Sequence, residues 1–181
     1  GVNIAAINCS WGSSETADLA AAVDYAVSED ILIIVAAGNN KSSVPRYLNA
    51  RSDCMSVGGV ASNGTEYFFS NYGTSVEFAA PAVGVVSTVA GAGDLTDDYT
   101  GTSMAAPHVV GIAALLESAN SSLTRQQKWD IICDPGNLKD YIQQRRYVGA
   151  GIPDAALCLE DAGGGCTVAP VANFSGTPLS G

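Results

Sequence analysis

The stretch Gly101-Thr-Ser-Met-Ala-Ala-Pro-His108 holds the residues best suited to chemistry in this chain. Gly101 permits a tight backbone approach. Ser103 then falls at the junction between a loop and an apolar helix predicted over residues 104–116. A helix N-terminus carries unpaired N–H groups and the positive end of the macrodipole, so it favours negative charge. A serine hydroxyl placed there can act as a nucleophile, with its own N–H beside the oxyanion that its attack creates. A serine there is also an ordinary helix cap, and Gly-Thr-Ser taken alone favours that simpler role. The only histidine, His108, follows five residues later. At roughly 100° per helical residue, the two side chains point about 140° apart. His108 is therefore badly placed to take the Ser103 proton, and no other base for Ser103 is evident in the sequence.

The elements that position Ser103 read as alternating strands and helices. Residues 2–9 are small and β-branched, as in a strand. Ser10-Trp-Gly-Ser-Ser14 breaks it, and Ser13 or Ser14 suits the cap of a helix whose apolar face is Leu19, Val23, Ala26 and Val27. Residues 31–37 form an apolar run too short for a helix. Strand, helix, strand is the parallel crossover unit of an α/β sheet. Gly38-Asn39-Asn40 turns at the C-terminal end of the second strand, where such sheets keep their sites. Further strands are expected at 54–60, 67–69, 76–79 and 83–89, followed by a polar loop over 91–98. Pro107 is expected in the first turn of its helix, and later helices at 124–132, 139–145 and 154–159. The fold class is α/β, a mainly parallel sheet flanked by helices.

Composition narrows the function classes. The 181 residues are 47% hydrophobic, enough for one core. Charged residues are only 14%, with 18 acidic against 8 basic, a net charge of −10. That balance argues against nucleic acid and anionic membrane surfaces as partners. No apolar run approaches the ~18 residues of a membrane span. Gly1 takes the place of an initiating methionine, so the chain reads as processed or truncated. The five cysteines lack metal-ligand spacing. In a secreted protein they suggest disulfides: Cys158 and Cys166 bracket a short loop, Cys54 and Cys133 could pair across the domain, and Cys9 is left over. Pairing does not follow from sequence alone. Asp94, Asp97 and Asp98 form an acidic loop whose spacing matches no ligand set, so no metal ligand is assigned.

The eight residues Gly101 to His108, followed by Val109-Val-Gly111, closely resemble the serine signature of the subtilisin-like serine proteases (subtilases, peptidase family S8). Other segments agree with that family in order: Asn8-Cys-Ser-Trp-Gly12, Val35-Ala-Ala-Gly-Asn39, Ser56-Val-Gly-Gly-Val60, Phe69-Ser-Asn-Tyr-Gly73 and Ala80-Pro81. The resemblance covers roughly residues 2–157. It implies that Ser103 is the nucleophile and Asn39 the side-chain oxyanion donor. By itself, Asn39 favours the simpler role of a turn asparagine after glycine. The resemblance makes Ala36, Ala37 and Gly38 one wall of the pocket for the residue before the scissile bond. Ser10, Trp11 and Gly12 become the other wall and the edge that pairs with substrate, by β-augmentation. His108 resembles the signature's structural histidine.

In the family the catalytic Asp and His precede the first strand read here, so the chain resembles the C-terminal part of a catalytic domain, truncated at its N-terminus. The expectation is a secreted or extracellular serine endopeptidase acting through an acyl-enzyme on polypeptide substrates. Its other half would be an absent N-terminal segment, without which this chain is expected to be inactive. No cofactor is required for that chemistry; family members often carry structural calcium, with no ligand assignable here. The alternative is a non-catalytic relative that binds peptide through the retained strand edge. Residues 1–162 read as the domain and 163–169 as a Gly-rich linker. Residues 170–181 resemble the start of a PKD-like β-sandwich.

Overall fold

The computed structural model describes residues 4–88, 95–142 and 146–163. Its architecture is organised around β2 (Leu32–Ala36), which is buried at every position. Side chains alternate across a strand, so Leu32, Ile34 and Ala36 enter one apolar cluster while Ile33 and Val35 enter another. An apolar run buried on both faces is the mark of a central parallel strand. β2 lies between β1 (Ala6–Cys9) and β3 (Cys54–Val60), and β4 (Phe78–Pro81) follows β3, all parallel in the order β1-β2-β3-β4.

Helix α1 (Ala17–Ser28) packs Val23 and Ala26 on the Ile33 and Val35 face. On the opposite face lies α2 (Thr102–Ala119), which buries Ala105, Ala106, Val109, Ile112, Ala113 and Leu116 against Leu32, Met55, Val57 and Phe78. Alanines at 105, 106 and 113 keep the sheet-facing stripe of α2 small, so the helix can lie close to the sheet. Truncating fully buried Leu116 to alanine would cost roughly 2–5 kcal/mol. The α2 layer is completed by α3 (Arg125–Cys133) and α4 (Ala155–Asp161), through Ile132, Cys158 and Leu159. Two antiparallel pairs lie outside the main sheet: β5 (Val85–Thr88) with β6 (Leu95–Tyr99), and β7 (Leu138–Lys139) with β8 (Ile152–Pro153).

Several expectations are corrected. The α1 cap is Thr16, whose hydroxyl accepts from the Leu19 N–H at 3.2 Å, rather than Ser13 or Ser14. Residues 67–69 form a turn closed by the Ser70 N–H on the Tyr67 carbonyl, not a strand. The polar segment from Leu95 is strand β6, because the backbone of β5 needs a partner for its ladder. The helix expected at 139–145 is absent from its described part, where Leu138–Lys139 is a strand. Helix α2 begins at Thr102, so Pro107 is its sixth residue and lies beyond the first turn.

Cys54 and Cys133 do not pair: both are free thiols, and they pack into cores on opposite faces of the sheet. Burial pushes each of them up to about 12. Cys158 is buried and free, while its suggested partner Cys166 lies outside the described residues, as do residues 164–169 and 170–181. No helix among the described residues is long and apolar enough to cross a membrane.

Candidate active site

Three segments meet where β1 and β2 end and α2 begins. Ser10, Trp11 and Gly12 follow β1, the Gly38-Asn39-Asn40 turn follows β2, and Gly101 to Ser103 lead into α2. The turn is shaped by Gly38, whose φ of +104° suits glycine. A Cβ there would also sit 2.6 Å from Nδ2 of Asn71. Asn71 is buried and braces the turn: its Nδ2 donates to the Ala37 carbonyl at 2.8 Å, and its Oδ1 accepts from the Asn40 and Ser42 N–H groups, both at 3.0 Å.

Asn39 is oriented by the start of α2. Its Oδ1 accepts from the Thr102 N–H at 2.9 Å and from the Thr102 hydroxyl at 3.1 Å. A backbone N–H can only donate, so the atom facing it must be the amide oxygen, which fixes the Asn39 amide the right way round. Its Nδ2 therefore lies on the other side, beside Gly101, where a Cβ would come within 3.2 Å of it. The Thr102 hydroxyl accepts from the Gly38 N–H at 3.0 Å, which joins the two segments a second time. Thr102 is fully buried.

Ser103 is the second residue of α2, within the turn whose N–H groups lack helical partners. The Thr102 N–H is taken by Asn39 and the Met104 N–H by the Gly101 carbonyl, whereas the Ser103 N–H has no acceptor among the described residues. Pro107 matters here. It has no N–H to give to the Ser103 carbonyl four residues earlier. Ser10 repairs that loss: its hydroxyl donates to the Ser103 carbonyl at 2.7 Å, and the Ser103 hydroxyl donates to the Ser10 carbonyl at 3.1 Å. The break in the helical ladder thus locks the Ser103 backbone to the segment after β1.

These groups line a cavity of about 320 Å³, which takes in Ser10, Trp11, Gly12, Ala36, Gly38, Asn39, Asn40, Arg46, Thr102 and Ser103. Of the eight site residues expected from sequence, seven meet there. Ala37 does not: its side chain is buried, its N–H donates to the Val57 carbonyl, and its own carbonyl is held by Asn71. Alternation along the end of β2 turns Ala37 away where Ala36 turns in. A second cavity of about 500 Å³ lies on the other side of Ser103, lined by Val85, Val86, Tyr99, Met104, Pro107 and His108 among others.

His108 Nδ1 lies 2.8 Å from the Met104 carbonyl. A carbonyl only accepts, so Nδ1 carries a proton and serves the helix. Among the described residues no cluster of three or more His, Cys, Asp or Glu could hold a metal ion. Asp94 and the side chains of Asp97 and Asp98 lie outside what is described.

Sequence reasoning missed Thr102, Asn71 and Arg46. The first two sit inside the quoted family segments, so a signal was there, but nothing in the sequence says which backbone groups they bond. Arg46 lies in a loop with no motif at all.

A model of the Subtilase family (peptidase family S8) matches residues 2–151. Alkaline elastase YaB of Bacillus sp. (strain YaB) is 41% identical over 132 residues, covering 70% of this chain and 33% of that protein. Subtilisin BL of Lederbergia lenta is 39% identical over 121 residues, covering 66% of this chain and 44% of its own length. Among solved structures, a protease from Pseudoalteromonas arctica PAMC 21717 superposes with a TM-score of 0.75 at 30% identity, over 87% of this chain and 51% of that one. A cold adapted subtilisin-like serine proteinase does so with a TM-score of 0.69 at 26% identity, over 80% and 54%. The chain spans about a third of the length of the curated relatives it matches. The fold, the order of its segments and these likenesses place the chain in the subtilase family.

Proposed function

We propose that this chain supplies the nucleophile, the oxyanion hole and part of the substrate cleft of a secreted serine endopeptidase. The observation that carries this reading is the Asn39 amide. With its oxygen held by Thr102, its Nδ2 is left as a donor, and Asn39 lines the same cavity as Ser103, whose own N–H lies in the first turn of α2. Two such donors stabilise the oxyanion of a tetrahedral intermediate.

The Ser103 hydroxyl oxygen attacks the scissile carbonyl carbon, and its proton passes to an imidazole. That imidazole then hands the proton to the leaving amine as the C–N bond breaks. Water, deprotonated by the same base, hydrolyses the resulting ester and restores Ser103. The Ser103 hydroxyl donates to the Ser10 carbonyl, and the His108 side chain points roughly 140° away from it on α2, so His108 is not that imidazole. The base and its orienting carboxylate come from a polypeptide segment outside this chain.

A surface suited to such a segment exists. β1 is an edge strand in the described sheet, with Ile7 exposed, and Ala5 and Ala6 share a cavity of about 480 Å³ with Val110 and Ala114 of α2. An open parallel edge invites a further strand.

A fluorophosphonate probe tests the reading by intact mass. The full-length protein carrying the upstream segment should label at Ser103. Ser103→Ala should abolish labelling, and this chain alone should show none. Failure of the full-length protein to label at Ser103 would overturn the proposal, and Ser103 labelling of the isolated chain would overturn its division of labour.

A further inference from the structure

Resting on the peptidase reading above, we propose that Arg46 selects substrates with Asp or Glu on the acyl side of the scissile bond. Ser103 and the Asn39 amide stand together in the 320 Å³ cavity and mark where the scissile carbonyl sits. The side chain next to that carbonyl therefore occupies the remaining space, which Arg46 lines together with Gly12 and Asn40.

The backbone that bears Arg46 is tied down on both sides. The loop bearing it is tied to the segment after β1 by the Tyr47 N–H on the Ser13 carbonyl, and the Arg46 carbonyl accepts from the Ala50 N–H at 3.0 Å. Its side chain lies flat over Gly12. A Cβ at that glycine would come within 2.7 Å of the Arg46 Cδ and 2.9 Å of its Nη1. A side chain at residue 12 would push the Arg46 side chain aside, so Gly12 and Arg46 form one wall together.

Charge decides what the wall prefers. Arg51 is paired with Asp24 and Asp53, and Arg146 with Glu66. Arg46 makes no ion pair or side-chain hydrogen bond among the described residues, and no carboxylate lines the cavity. In a chain of net charge −10, this cleft presents an uncompensated cation. A carboxylate side chain entering it gains a charge-assisted hydrogen bond, bidentate in geometry, that the guanidinium lacks at rest. Lysine or arginine in the same place is repelled. Arg46 is exposed, so water and salt weaken the effect.

The test is kcat/KM of the full-length protein on fluorogenic peptides that differ only in the residue before the scissile bond. Glu against Gln holds shape constant and isolates charge. The expected ratio is about two- to fivefold at low ionic strength, shrinking at 0.5 M salt. Arg46→Gln should bring it close to one. Arg46→Glu should turn the preference toward Lys, a gain that misfolding cannot produce. A wild-type Glu/Gln ratio near one, or a ratio untouched by Arg46→Gln, would overturn the assignment and leave the peptidase reading standing. If no peptide is cleaved and Ser103 also fails to take the fluorophosphonate, the peptidase reading falls and this inference with it.

Discussion

Thr102→Val separates the two jobs of one hydroxyl. The substitution keeps the volume of a fully buried side chain and removes its Oγ1. The Gly38 N–H, now 3.0 Å from that oxygen, loses its acceptor, which costs roughly 1–3 kcal/mol of stability. Asn39 loses one of its two anchors but keeps the other, because the Thr102 N–H at 2.9 Å belongs to the backbone. A neutral hydrogen bond is worth about 0.5–1.5 kcal/mol net. If that energy holds the amide in its productive orientation, kcat in the full-length protein should fall about two- to tenfold, with KM little changed. Deleting an oxyanion donor outright costs about 10²–10³ in kcat, a value that comes from subtilisin itself. Thr102→Val should therefore lie well above Asn39→Leu in rate, and Thr102→Ser should restore both stability and rate. Urea unfolding and steady-state kinetics read the two effects independently. The reasoning fails if Thr102→Val loses as much rate as Asn39→Leu, since the backbone anchor would then be doing nothing. It fails equally if stability falls as expected while kcat stays at the wild-type value.

Glu77 makes stability fall as pH rises from 5 to 8. Burial pushes its carboxyl up to about 7, against an ordinary value of 4.5, although the Ser56 N–H that it accepts works in the opposite direction. The folded state therefore prefers the protonated acid. That preference is fully present below about pH 4.5 and lost as pH rises through 7, at a cost of about 2–3 kcal/mol after discounting for residual exposure. Asp53 and Asp154, held low by Arg51 and Lys139, act with the opposite sign and only at more acid pH. Urea midpoints should decline over pH 5–8 in the wild type and flatten in Glu77→Gln; equal slopes in the two proteins would refute the assignment. Asn71→Ala removes three hydrogen bonds at a buried position, so it should cost about 3 kcal/mol or more. It should also lower kcat by loosening the turn that carries Asn39, and a variant of wild-type stability would refute the bracing role.

The parts of the fold that are legible in the sequence are those where one residue type has one physical use. The apolar run that became β2 is buried on both faces, and its composition says so without help. Cys54–Val60 runs over the same residues in the structure as in the sequence reading, because β-branched and small residues bounded by turns leave little choice. Where a polar segment can be either loop or ladder, as in β6, the partner strand decides, and the partner is not local. The disulfide between Cys54 and Cys133 failed for the same reason: sequence separation carries no information about which face of a sheet a thiol enters.

The site divides along similar lines. Ser103 and Asn39 stand out because glycine-led turns and a helix start announce them, whereas Thr102, Asn71 and Arg46 act through contacts made across the sheet's C-terminal edge. Pro107 and Ser10 show the limit most clearly. Taken singly, Pro107 is a defect in a helix and Ser10 a polar residue that ends a strand. Together they are one device, since the carbonyl that Pro107 leaves unpaired is the one that the Ser10 hydroxyl binds at 2.7 Å. That bond fastens the Ser103 backbone to the segment after β1, and the returning bond from the Ser103 hydroxyl to the Ser10 carbonyl orients the hydroxyl. The pairing spans 93 residues, so it follows from the fold alone, and the fold in turn uses the proline's missing donor as a connection rather than a break.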